Sequence, residues 1–181
     1  MNAKILIILI LPAVLASCGK EITRYDLTEA QKQIIPYEKG QVISFIDSGG
    51  QTIDLTVREN KTEWAFINDY LMYRSKLVSL KSESSILSIS LEINSEDRCF
   101  GKDHCSFKIG IYGEYFDLIV DTKGNFFINS SMAFHDSLQI NGKVYSDVVE
   151  KNEGSKQLFY NKTYGILQVK GNGANILTLK D

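Results

Sequence analysis

Hydrophobic and polar residues alternate over most of the chain, which is the two-residue period of a β-strand with one buried face. In the clearest run, Leu87, Ile89, Leu91 and Ile93 are separated by polar side chains. Similar runs predict further strands within residues 41–47, 52–57, 107–111, 115–120, 138–140, 144–149, 157–161, 164–169 and 175–179. The pattern therefore predicts a mostly β protein.

Short turn-forming segments separate several of these predicted strands. Ser48-Gly49-Gly50 supplies residues that tolerate a positive φ, and Asn141-Gly142 is a strong hairpin signal. Residues 121–125 also form a turn-like segment. Because short connections favour antiparallel neighbours, we expect an antiparallel meander, sandwich or partly closed barrel.

One short helix is predicted near residues 29–35, before the strands begin. Thr28 and Gln31 have the spacing of a capping box, in which each side chain bonds the backbone N–H of the other residue. Pro36 disfavours helical geometry at Ile35 and so limits the helix.

The first 17 residues have the organisation of an export signal. Lys4 precedes an apolar run that is shorter than the roughly 20 residues of a spanning helix. The run ends in Leu15-Ala16-Ser17-Cys18, which resembles the lipobox of bacterial lipoproteins. The resemblance implies cleavage before Cys18, a lipid on its sulfur and a fatty acid such as palmitate on its new amino group. The alternative is an ordinary secretory leader followed by a chance cysteine.

The lipobox resemblance implies a location in the cell envelope, with the membrane as a partner through the lipid anchor. Gly19 stands where aspartate favours inner-membrane retention in enterobacterial lipoproteins, so the outer membrane is favoured. Lys20-Glu21 partly resembles the surface-export tags of Bacteroidota lipoproteins, which leaves periplasmic and surface-exposed locations open. We predict a signal peptide over 1–17, a lipidated cysteine and tether over 18–27, and a single β-rich domain over 28–181.

Two further stretches resemble uncharacterised small lipoproteins of Bacteroidota. Residues 35–45 combine Pro36-Tyr37 with a glycine and a hydrophobic strand, and residues 160–169 combine a tyrosine with Gly165-Ile166. These stretches flank most of the predicted mature chain. The resemblance implies no particular chemistry.

Composition narrows the range of partners. The 181 residues include 20 basic and 22 acidic side chains, a formal net charge of −2, and form no basic patch, so nucleic acid is not expected as a partner. The sequence has no phosphate-binding loop, dinucleotide fingerprint or His-Glu-x-x-His motif. We therefore expect no cofactor and no bound metal.

Cys99 and Cys105 enclose a five-residue segment and are expected to form a disulfide, because exported thiols meet an oxidising compartment. The alternatives are free thiols or a metal site that combines both cysteines with His104, and with Asp97 or Asp103. Because His104 and Cys105 are adjacent in the chain, their side chains are poorly placed to ligate a single ion together.

His135-Asp136-Ser137 contains the residue types of a hydrolase triad. Consecutive strand residues alternate between faces, so these three are not expected to converge. A turn or the start of a strand is the simpler interpretation. Asp136-Ser137-Leu138 also resembles the O-glycosylation motif of Bacteroidota, which makes Ser137 a candidate acceptor.

Residues 61–73 contain four aromatic side chains that could bind a sugar or a protein surface. Trp64, Ile67 and Leu71 have the spacing of one helix face, but the aromatic content of the segment also suits a strand or loop. Core packing is the alternative role for aromatic residues at such spacing. The candidate binding aromatics are Trp64, Phe66, Tyr70 and Tyr73.

The sequence thus contains no constellation that defines a reaction. We expect a membrane-anchored, non-catalytic binding or structural module whose partner is an envelope protein or a glycan. An envelope hydrolase, or a carrier with an apolar cavity, is the alternative.

Overall fold

The computed structural model describes residues 21–171 and 174–180 and has the form of an open, curled antiparallel half-barrel. The prediction of a mostly β, antiparallel, partly closed fold is confirmed. The strands are β1 (Thr23–Tyr25), β2 (Val42–Asp47), β3 (Thr52–Asn68), β4 (Leu71–Lys81), β5 (Ser88–Asn94), β6 (His104–Ile111), β7 (Glu114–Asp121), β8 (Met132–Ile140), β9 (Lys143–Glu153), β10 (Lys156–Asn161), β11 (Gly165–Gly171) and β12 (Ala174–Leu179).

Two meanders make up the sheet. Its strand order is β7-β6-β5-β4-β3-β2-β12-β11-β10-β9-β8, and all neighbours along this path are antiparallel. Neighbours in the sheet are also neighbours in the sequence except for β2 and β12, which join the two meanders. β1 lies off this path and pairs in parallel with the first three residues of β4. β1 itself falls within residues 18–27, which were predicted to be a lipidated cysteine and tether.

The predicted hairpin at Asn141-Gly142 is present. Asn141 has φ 51° and Gly142 has φ 84°, and Ile140 pairs with Lys143 across them. Two successive positive φ angles are the geometry of a type I′ turn, whose twist matches that of the flanking strands.

The short helices are α1 (Glu29–Lys32) and α2 (Glu96–Cys99). The capping box at α1 is confirmed, since Thr28 and Gln31 bond each other's backbone N–H groups. α1 has one turn and ends before the predicted limit. The sequence patterns did not predict α2. Within the described residues, no helix is long and apolar enough to cross a membrane.

The segment from α1 to Tyr37 packs against the inner face of the sheet and shares its core. Ile34, Ile35 and Tyr37 are buried together with inward-facing residues from both meanders. Lys76 Nζ donates hydrogen bonds to the carbonyls of Lys32 and Ile35 at 2.7 and 3.2 Å. The concave side is therefore filled by the chain's own side chains.

Candidate functional site

The strongest candidate site is an open groove of about 500 Å³ near the turn between β8 and β9. It has the volume of a typical small-ligand site. We call it the basic groove, because lysines are the charged residues that line it. Its principal lining residues are Gln41, Val42, Ser44, Lys143, Tyr164 and Lys180.

Lys143 and Tyr164 line the basic groove, and the buried Tyr145 ring packs behind them. Tyr145 and Tyr164 meet edge to face with ring centroids 5.4 Å apart. Lys143 Nζ lies 5.3 Å from the Tyr145 centroid and 5.1 Å from the Tyr164 centroid. A cation over an aromatic ring is attracted by the ring quadrupole. This contact places a positive charge beside Tyr164, whose side chain is exposed.

A second lysine and several polar groups also line the basic groove. Lys180 Nζ donates to Thr52 Oγ1 at 3.1 Å, and the Lys180 backbone N–H donates to the Ser44 carbonyl at 2.9 Å. Ser44 Oγ donates to Asp54 Oδ1 at 2.6 Å. Val42 is exposed beside them and gives the groove an apolar element. The groove therefore combines positive charge, hydroxyl groups and an aromatic ring.

Residues 35–45 and 160–169 meet beneath the basic groove. The Ile166 backbone N–H donates to Tyr37 Oη at 2.7 Å. Tyr160 Oη donates to the Ile34 carbonyl at 2.5 Å. These buried hydrogen bonds hold the wall that carries Tyr164 against the segment that leads into β2.

The sequence patterns did not predict the basic groove, although Tyr164 lies within residues 160–169, which the sequence analysis singled out. Lys143, Tyr164 and Lys180 lie in separate segments and have no motif spacing. Lys143 directly follows the Asn141-Gly142 turn, and this hairpin signal was the sequence pattern nearest to a lysine of the groove. Only the pairing of β2 with β12 brings these segments together.

The four candidate aromatics all lie on the β3–β4 hairpin, whose strands include the ambiguous residues 61–73. Phe66 pairs with Met72, and Trp64 pairs with Arg74, whose Cζ lies 4.9 Å from the Trp64 ring centroid. Alternation therefore places Trp64 and Phe66 on one face. Tyr73 pairs with Ala65 on the other face, and Tyr70 lies in the turn. The four side chains do not form one continuous platform.

The predicted disulfide between Cys99 and Cys105 is absent from the structure, in which both residues are free thiols. Cys105 is on β6 and points into the core, in phase with Phe107, while Cys99 is at the end of α2 with its Sγ 3.8 Å from the Met72 carbonyl. Burial raises the pKa of the Cys105 thiol to about 12 and also raises the pKa of Cys99.

The alternative metal site is not assembled either. His104 Nε2 lies 3.8 Å from Asp97 Oδ2, but Cys105 faces inward on the same strand. Within the described part of the chain, no group of three or more His, Cys, Asp or Glu side chains could hold a metal ion.

His135 contacts a carboxylate from the neighbouring strand. Its Nε2 lies 2.9 Å from Glu150 Oε2, and Glu150 Oε1 accepts from Asn152 and Gln157. Ser137 is exposed on the edge strand β8, where a sugar-transferring enzyme could reach it.

Ser131 and Lys151 form a pair that resembles the serine and lysine of some hydrolases. Lys151 Nζ donates to Ser131 Oγ at 2.8 Å and pairs with Glu153 at 3.4 Å. Ser131 Oγ donates its own proton to Asn129 Oδ1 at 2.8 Å. A base that activates a nucleophile must accept that proton. These hydrogen bonds instead anchor the loop before β8.

The predicted signal peptide and Cys18 lie outside the described residues. Comparison of the chain with protein-family models, curated proteins and solved structures gave no match.

Proposed function

We propose that this chain is a lipid-anchored protein of the cell envelope that acts by binding, and that its basic groove takes a segment of an acidic glycan. The observation that carries the proposal is that Lys143, Lys180 and the exposed Tyr164 ring line one groove, with the Lys143 ammonium over that ring. Ammonium groups match carboxylates, and an aromatic ring matches the apolar face of a sugar. Gln41 and Ser44 add groups that bond sugar hydroxyls.

A binding role also agrees with the contents of the half-barrel. Its inner face is occupied by Ile34, Ile35 and Tyr37, which are at most 2% exposed, so the concave side is not free to carry an apolar ligand. The Ser131–Lys151 pair has its hydroxyl proton directed at Asn129. These contacts favour binding over the carrier and hydrolase alternatives.

The glycan proposal is tested by titrating the full-length protein in vesicles with oligogalacturonate, an acidic sugar, and with maltoheptaose, a neutral sugar. We expect oligogalacturonate to bind and the Lys143→Ala/Lys180→Ala variant to bind it about tenfold or more weakly, since charge-assisted hydrogen bonds contribute about 1.5–3 kcal/mol. Lys108→Ala/Lys123→Ala removes the same charge from exposed positions elsewhere and is the matched control. Equal weakening by both variants, or tighter binding of the neutral sugar, would contradict the proposal.

The anchor has a separate test. Mass spectrometry of the processed N-terminus should show an acylated Cys18, and Cys18→Ala should release the protein from membranes. Full membrane partitioning of a processed Cys18→Ala protein would contradict lipidation.

A further inference from the structure

The β3–β4 hairpin ends in a tip with exposed apolar side chains. Asn68 pairs with Leu71 across a two-residue turn, and Asn68 Oδ1 accepts the backbone N–H groups of Tyr70 and Leu71. Phe66 is 63% exposed and Tyr70 is 49% exposed. The side-chain amide therefore fixes the turn, and the apolar groups around it face solvent.

The N-terminal end of the described chain lies against the same tip. The Thr23 backbone N–H donates to the Tyr70 carbonyl at 2.8 Å, and β1 continues alongside Leu71. Ile22, directly before β1, is also exposed. The chain thus enters the domain at the end of the hairpin rather than at the centre of the sheet.

The distance from Cys18 to this entry point is limited by the covalent chain. Four residues lie between Cys18 and Thr23, so the five Cα–Cα steps that join the two can span at most about 17 Å when fully extended. A lipid on Cys18 would therefore hold the tip within a few residue lengths of the bilayer surface.

Positively charged side chains lie behind the apolar tip. Arg24 is exposed on β1 and pairs with Met72, and Arg74 follows two residues later on the same face of β4. Asp69 in the turn carries the opposite charge. Aromatic side chains with nearby arginines suit the headgroup region, and Asp69 opposes entry into the hydrocarbon.

We propose that the tip formed by Ile22, Phe66 and Tyr70 contacts the lipid headgroup region of the membrane that holds the anchor. This inference rests on the lipid anchor proposed above and adds a second, non-covalent contact. It orients the domain, because the 11 residues of β4 run away from the tip over roughly 33 Å. The turn that contains Ile86, which is 96% exposed, then points away from the membrane.

Trp64 is the only tryptophan of the chain, so relocation of this residue tests the orientation. Two full-length proteins are compared in vesicles of phosphatidylethanolamine and phosphatidylglycerol with brominated acyl chains. One carries Trp64→Phe/Phe66→Trp, and its matched control carries Trp64→Phe/Ile86→Trp. We expect the bromines to reduce emission from position 66 roughly twofold and to leave position 86 unchanged, because interfacial groups enter about 5–10 Å into the headgroup–acyl boundary.

Flotation of both proteins with the vesicles separates this inference from the anchor. Equal quenching at the two positions, stronger quenching at position 86, or no quenching in protein that floats overturns the membrane contact and leaves the anchor intact. Failure to float contradicts the anchor, and the hairpin inference then falls with it.

Discussion

Tyr37 occupies the space that a side chain at Gly165 would need. An added Cβ at Gly165 would overlap the Tyr37 hydroxyl and ring, and Gly165 also has φ 78°. The same hydroxyl accepts the Ile166 N–H, 129 residues along the chain. This contact ties the start of β11 to the segment before β2, beneath the basic groove.

Gly165→Ala should destabilise the protein by about 2–4 kcal/mol, because the left-handed conformation costs alanine about 1–2 kcal/mol and the Tyr37 contact is disrupted as well. Gly113 has nearly the same φ, 79°, with nothing within 4 Å of an added Cβ. Gly113→Ala therefore measures the backbone contribution alone. Urea unfolding gives both free energies, and equal losses would show that the Tyr37 contact contributes nothing.

Gln31→Leu should lower the free energy of unfolding by about 2–4 kcal/mol, since buried backbone groups left without partners cost about 1–3 kcal/mol each. Gln31 is fully buried, accepts the Thr28 N–H and donates to the Asp121 carbonyl at 3.1 Å. Gln33→Leu changes an exposed glutamine two residues later and should cost less than about 0.5 kcal/mol. Similar losses in the two variants would show that the hydrogen bonds of Gln31 to Thr28 and Asp121 do not stabilise the fold.

Alkaline pH should destabilise the fold through its buried tyrosines. Burial raises the pKa of Tyr37 and Tyr160 in the folded protein, whereas unfolded tyrosine titrates near pH 10. Above pH 10 the folded state retains these protons and the unfolded state loses them, so stability falls by about 1.4 kcal/mol per pH unit for each tyrosine.

The comparison of Tyr160→Phe with the original chain isolates this effect from other titrating groups. We expect the urea midpoint of the variant to decrease less steeply above pH 10, although Tyr160→Phe also loses the bond to the Ile34 carbonyl at every pH. Parallel pH profiles for the two proteins would be inconsistent with a raised Tyr160 pKa.

The two thiols should differ in reactivity. Cys99 is half-exposed, whereas Cys105 is buried with its pKa raised to about 12, and the thiolate is the reactive form. We expect iodoacetamide to label Cys99 in the folded protein well before Cys105, and to label both after denaturation. Peptide mass spectrometry measures the two rates. Labelling that requires a reductant would instead indicate a disulfide.

Local signals predicted the secondary structure well where one physical requirement dominated. The alternation around Leu91 gave β5, the Thr28–Gln31 spacing gave the cap of α1, and Asn141-Gly142 gave a hairpin, because each depends on residues close together in the chain. Residues 61–73 remained ambiguous, since their aromatic side chains satisfy more than one period. Hydrogen bonding with β4 made residues 61–68 part of strand β3.

Long-range contacts decided the site. The sequence by itself determined where strands and turns occur, because alternation and turn residues act over a few positions. Only the tertiary structure paired β2 with β12, placed Lys143, Lys180 and Tyr164 in one groove, and turned Cys105 into the core while Cys99 remained on α2. Those outcomes depend on which faces the curled sheet buries and which distant segments it joins, and neither property is encoded in the spacing of neighbouring residues.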